Sequence, residues 1–363
     1  MLGERLILAR KKSGHSLRSL SDAIGARVSA QAIGKYERNE MAPSSDILSL
    51  LAKELGVSMS FLFSNQIEEL LDVDFRKKST TTAQERAQVE ALVIEHLERY
   101  LEIEDILQLN SSEWVMPLGK PYFLQHEADA EAMAEKIREV WNLGEDPIPD
   151  MTELLEEQGI KVLILDLPDD FSGLTSIVRR ANGKPEVPVI IISQNVTLER
   201  RRFTLAHELA HRLIDEASPC NHEKASDMFA GAFLMVASHV RAQIGESRKS
   251  ISYAEILDLK RMYRVSAAAV LVRLKQLGIL SASAVNYAFR TFAKTWRFVE
   301  PDPLEAEGGA QEKAKRFERL CLRALSERYI SLSKGVELLR VSLSVLEEKL
   351  KGPAHADANH NYG

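Results

Sequence analysis

RRFTLAHELAHRLID, residues 201–215, carries His207, Glu208 and His211 at the spacing H-E-x-x-H. On an α-helix, residues four apart share a face, so the two imidazoles can grip one Zn²⁺ while the carboxylate of Glu208 between them reaches a water on the metal. Leu205, Leu209, Ala210 and Leu213 put apolar surface beside the pair, which sets this helix at a core edge. With nine histidines in 363 residues, a chance match to the pattern is roughly a one or two per cent event.

A hydrolytic zinc needs three protein ligands and an open fourth position. Glu223, twelve residues beyond His211 and at the start of the next predicted helix, is the leading third ligand. Asp227, one turn further on, can hold a liganding imidazole from behind. His222 and Cys220 are rivals for the third place. Cys220 can also be read as a latch that binds zinc reversibly and closes the site, against the plainer reading of an idle or buried thiol.

Working outward, three apolar, β-branched stretches precede the motif, at 161–165, 174–178 and 187–193, and read as strands of one small sheet. Helical periodicity fills 126–144, then 199–215, 223–239, 253–261 and 266–277. Earlier still, Thr82 and Glu85 stand at capping-box spacing before a long amphipathic helix. Its apolar stripe (Val89, Leu92, Val93, Leu97, Tyr100, Leu101, Leu107) suits either packing within the chain or a dimer seam. Residues 66–78 read as a connector ending in the basic triplet Arg76, Lys77, Lys78. Beyond a Gly/Pro/acidic linker at 300–310, two or more helices follow, and ISLSKGVELLRVSLSVLEE repeats the pattern of a short helix, a turn and a second helix. Packing or dimerisation suits that tail, which frays into PAHADANHNYG.

Residues 1–65 are five short helices with sharp punctuation: Ser16 and Ser29 as caps, Gly25 and Gly56 as stops, Pro43 before another start. A helix, a turn and a second, mixed polar helix form the unit that enters a DNA major groove. Ser29, Ala30, Gln31, Lys35 and Arg38 lie on or at the end of that second helix, where an amide can bond an adenine edge and a cation a guanine or a phosphate. Leu6, Leu20, Ile24, Ile33, Leu48, Leu51 and Leu55 form the expected core. Periodicity alone serves a protein-binding bundle equally well.

Composition narrows the class. The chain is 45% hydrophobic and 28% charged, enough to bury two or three cores, and no apolar run approaches a membrane span. The N-terminus does not read as a signal peptide, and two cysteines build no disulfide framework, which together suit a reducing cytoplasm. The net charge of −6 disfavours nucleic acid only as an average. Residues 1–65 hold nine Lys/Arg against six Asp/Glu, a balance of +3, so the remainder carries −9.

Two resemblances sharpen these readings. LRSLSDAIG, VSAQAIGKYERN and PSSDILSLLAKELGVSMSFLF resemble the lambda-repressor/Cro-type helix-turn-helix of the XRE family, with a turn about two residues longer than the commonest form. Asn39 stands where Gly is common, at a position that implies a left-handed backbone. RRFTLAHELAH followed by EKASDMFAGAFLM resembles the ImmA/IrrE zinc metallopeptidases, with Val236 where Pro commonly follows. That resemblance implies His207, His211 and Glu223 as zinc ligands and Glu208 as general base.

The implied fold is mainly α with a small mixed β-sheet. It comprises an N-terminal five-helix domain (1–66), a helical linker or dimerisation segment (67–125), an α+β zincin-like metallopeptidase domain (126–295) and a helical C-terminal region with a disordered end (296–363). The expected function is a cytoplasmic, homodimeric regulator that binds double-stranded operator DNA. Its zinc endopeptidase domain would cleave a repressor, an antitoxin-like partner or itself, in a stress or phage-defence setting. A DNA-binding repressor with a structural or sensory zinc is the alternative; a plain peptidase whose N-terminal bundle recognises protein substrates is a third reading.

Overall fold

A computed structural model describes residues 2–63, 66–71, 82–109, 114–167, 173–296, 298–304 and 312–351. The basic triplet at 76–78, residues 305–310 of the acidic linker and the tail over 353–363 lie outside the described residues.

Serine caps set the N-terminal helices. After α1 (Leu2–Lys12), Ser16, Ser29 and Ser44 accept backbone N–H bonds at the starts of α2 (Leu17–Ala23), α3 (Ala30–Glu37) and α4 (Ser45–Glu54), and α5 (Met59–Phe63) closes the module. All seven expected core residues are buried. Asn39 adopts φ 57°, and its Oδ1 accepts from Gly3 N at 2.9 Å, so its left-handed turn also pins α1.

Four strands form one sheet in the order β1 (Ile67–Leu71), β3 (Gly173–Arg180), β4 (Val187–Ser193), β2 (Lys161–Leu165). β2 runs parallel to β4; the other pairings are antiparallel. The expected connector is thus corrected over 67–71, where a strand pairs with β3. IEELL lacks β-branched alternation apart from Ile67, and its pairing depends on a partner more than a hundred residues away: Glu69 meets Arg179, and Ser176 Oγ donates to Leu71 O at 2.7 Å.

The sheet separates two cores. Along β2 and β4, Val162, Ile190 and Ile192 face one apolar cluster built with the helices that follow, while Leu163, Leu165, Val189 and Ile191 face a second built with the N-terminal module and α6 (Ala83–Ile106). Alternation delivers neighbours to opposite faces, which is why every residue of β4 is buried.

The α6 stripe is consumed within the chain: Val89, Val93, Leu97, Tyr100 and Leu101 are buried. Its acids act as sockets for other elements. Glu95 takes Lys12 and Arg340, Glu98 takes Arg5, and Glu104 takes Lys161, all three carboxylates being buried.

Three helices, α7 (Ala130–Val140), α8 (Met151–Glu157) and α9 (Leu198–Leu213), pack on the first core. The single helix expected over 223–239 is two, α10 (His222–Leu234) and α11 (Ala237–Ile244). No proline is required for the break, because buried arginines take the freed carbonyls: Arg138 donates to Phe233 O at 2.7 Å and Arg273 to Met235 O at 2.9 Å. After α12 (Tyr253–Tyr263), α13 (Ala267–Gln276) and α14 (Ala282–Arg290), the C-terminal α15 (Arg316–Ser326), α16 (Leu332–Leu339) and α17 (Leu343–Lys351) form a small core around Cys321 and Leu338 against Ile103 of α6. No helix among the described residues is long and apolar enough to cross a membrane.

Candidate metal centre and DNA-facing surface

Thr197 caps α9, which runs unbroken through the H-E-x-x-H motif, with Leu205, Leu209, Ala210 and Leu213 buried beneath it. Asn221 caps α10, its side chain accepting from Lys224 N at 3.0 Å, so Glu223 enters in the first turn and projects toward α9. His207, His211 and Glu223 are brought together, with one ligand atom from each all within 4.8 Å of one another.

The separations suit a cation. His207 Nε2 and His211 Nε2 are 3.1 Å apart, His211 Nε2 and Glu223 Oε1 3.3 Å, and His207 Nε2 and Glu223 Oε2 3.6 Å. Tetrahedral zinc with N and O ligands at its usual bond lengths separates its donors by ~3.3 Å. With His207 protonated, the 3.1 Å contact is a hydrogen bond between the two rings, and a cation bound there would replace that proton and take both lone pairs. The donor set, two imidazoles and a half-exposed carboxylate, is one that zinc accepts with a position left for water.

Outer contacts orient these donors. His207 Nδ1 donates to Asp227 Oδ1 at 2.9 Å, which leaves Nε2 as the lone pair toward the centre. Burial lowers the His207 imidazolium, but the carboxylates of Asp227, Glu223 and Glu208 outweigh it and hold its pKa up at about 9. Buried Ser226 places its Oγ 3.5 Å from His211 Nδ1. This contact escaped the sequence reading, although a serine beside Asp227 on the Glu223 helix was the available signal. Glu208 is half-buried on the motif helix.

The rivals are placed elsewhere. His222 Nε2 is engaged with Ser218 O at 3.0 Å. Half-buried Cys220 is outside the donor cluster, and burial followed by the nearby Glu127 pushes its thiol pKa up, against a ready thiolate.

On the N-terminal module, Ser29 is the cap of α3 and Ala30 its first residue; Gln31 and Lys35 are exposed one turn apart. Arg38, just past the helix, is exposed and paired with Glu40 at 2.7 Å. Ile33 and Tyr36 turn inward. Gly25 and Ala26 both take positive φ between α2 and α3. Three cations of the module, Arg5, Arg10 and Lys12, are spent on Glu98, Glu37 and Glu95. Arg18, Arg27 and Lys35 remain exposed on the α2–α3 side.

Comparison with curated proteins gives no match, and neither does comparison with solved structures. Two segments match family models: residues 6–62 the helix-turn-helix, and residues 155–275 the IrrE N-terminal-like domain of a peptidase family. The chain therefore joins an XRE-type helix-turn-helix to an IrrE/ImmA-like peptidase-family domain.

Proposed function

We propose that this protein is a DNA-binding regulator whose second domain is a zinc-dependent endopeptidase. The observation that carries the reading is the convergence of His207, His211 and Glu223 at zinc-like separations around the motif that contains Glu208. Glu208 favours the enzymatic over the structural alternative, because a purely structural site has no use for a base between two ligands.

When bound, zinc would lower the pKa of a water and polarise a peptide carbonyl. Glu208 would accept the proton from the attacking water and pass it to the leaving amine. Asp227 and Ser226 would hold the two imidazoles in the tautomers that keep their Nε2 atoms free. The substrate class best suited to a peptidase on a repressor-type module is a repressor, an antitoxin-like partner or the chain itself. Gln31, Lys35, Arg38 and the Ser29–Ala30 start of α3 would read operator DNA, with a homodimer matching a two-fold operator. Because the α6 stripe is buried within the chain, such a dimer would use another surface.

Glu208→Gln tests this directly. It should keep zinc content and DNA affinity while cleavage of a candidate repressor falls by at least a hundredfold. Cleavage that survives the substitution removes Glu208 from its role.

A further inference from the structure

A cavity of about 490 Å³ opens beside β2, lined by residues 162–165, Gln194, Asn195, Arg201, Lys313 and Phe317 among others. Among the described residues, β2 ends the sheet and pairs only with β4. Side chains of a strand alternate between faces, so four consecutive residues line one cavity only through the main-chain edge.

The parity of that edge can be read. Gln194 N donates to Leu165 O at 2.8 Å on the β4 side, so Leu163 and Leu165 turn their main-chain groups toward β4, and Val162 and Ile164 turn theirs outward. Among the described residues, no hydrogen bond reaches the outward groups. An open edge of this kind is a template for another strand.

Charge defines what would add there. Among the described residues, the cavity wall holds Arg201 and Lys313 and no Asp or Glu, in a chain of net charge −6. Arg201 is only 5% exposed; its Nη1 donates to Glu312 O at 2.9 Å, and its Nε has no hydrogen-bond partner. A buried guanidinium with a donor left over calls for an acceptor.

We infer that the outer edge of β2 docks an extended, acidic peptide segment of a protein partner. The segment adds as a further strand against Val162 and Ile164 and sets a carboxylate on Arg201 and Lys313. Arg201 lies six residues before His207 on α9, ~9 Å along the helix axis, so the docked segment sits near the metal centre without entering it. The inference does not depend on cleavage.

The test titrates full-length Glu208→Gln protein with fluorescein-labelled hexapeptides of alternating Val and Thr, carrying two Asp at either end, and with the same peptides carrying Lys instead. The Asp series should bind at least tenfold more tightly, and exposed Lys313, replaced in Lys313→Glu, should lose most of that preference with an unchanged circular dichroism spectrum. N-methylation of alternate amides should weaken binding at least tenfold, while methylation of the intervening amides should not. Equal binding of the two series, no binding up to millimolar peptide, or indifference to N-methylation overturns the docking site. Loss of cleavage in the wild-type protein with binding intact would instead count only against the peptidase reading.

Discussion

At His207 and His211 the two Nε2 atoms are kept aligned by different means, an exposed carboxylate at 2.9 Å for the first and a buried hydroxyl at 3.5 Å for the second. Outer partners of this kind set ligand orientation and basicity, and their loss costs ~10–100-fold in metal affinity. Asp227→Asn and Ser226→Ala should each weaken zinc binding, measured by competition with a chelating dye, and Asp227→Asn should do more because it removes a charge. The thermal midpoint of the metal-free protein should barely move for Asp227→Asn, since that side chain is 60% exposed. Zinc affinity unchanged in both variants would show that the imidazoles need no support. That His207, Glu208 and His211 share a face was legible from spacing because a helix converts sequence distance into direction; Glu223, on the next helix, stood beside His222 and Cys220 as a candidate until the resemblance singled it out. Ser226 was not, because its role depends on how α10 lies across α9.

At the scale of single elements, α3 is where the proposed DNA reading would lie, and α6 holds the electrostatic joints. Lys35→Ala should weaken binding to operator-bearing duplexes and, if Lys35 meets a phosphate, lower the slope of log affinity against log salt by about one. An unchanged slope, measured by fluorescence anisotropy at several salt concentrations, would remove Lys35 from the phosphate contacts. On α6, burial and then neighbouring Arg99 lower the His96 pKa to about 4, and its Nδ1 donates to Leu92 O at 2.9 Å. Between pH 4 and its ordinary value near 6.5, the unfolded chain binds a proton that the folded chain refuses. This contribution to stability is therefore complete above about pH 6.5 and declines as pH falls toward 4. Urea unfolding should show the wild type losing about 1–2 kcal/mol more than His96→Gln between pH 7 and pH 5. Parallel losses in the two proteins would mean that His96 titrates freely.

Across the whole molecule, the C-terminal segment is stitched into the peptidase-family domain by the buried carboxylate of Glu312, beside the surface pair of Arg319 with Glu153 at 2.8 Å. Glu312 pairs with Arg202 and, at 3.2 Å, with Arg264, and accepts from Met151 N at 2.9 Å. From there α15–α17 reach α6, where Arg99 donates to Leu338 O at 2.6 Å and Lys334 pairs with Glu102 at 2.7 Å, and α5, where Ser60 donates to Glu337 at 2.5 Å. The same chain thus touches the motif helix at one end and the DNA-binding module at the other. Glu312→Leu should cost about 3–5 kcal/mol by leaving Arg202 buried and unpaired, and adding Arg202→Met should recover part of it. A double variant no more stable than Glu312→Leu alone would mean that the cost lies in the lost Met151 bond or in packing.

By itself the sequence determined the elements whose signals are local. Serine caps placed α2, α3 and α4, β-branched runs placed β2, β3 and β4, and helical spacing put His207, Glu208 and His211 on one face. Each of these follows from residues a few positions apart. Only the tertiary structure decided that IEELL is a strand, that the α6 stripe lies inside the chain, and that the helix after Glu223 stops at Leu234 without a proline. In those cases the deciding partner, Arg179 for Glu69, the N-terminal module and sheet for α6, Arg138 and Arg273 for the α10 carbonyls, is distant in sequence. The acidic balance has the same origin: part of the −9 outside residues 1–65 is Glu95 and Glu98, buried against the cations Lys12 and Arg5 of the basic module. A count of charges registers these groups, but only the fold brings them into contact.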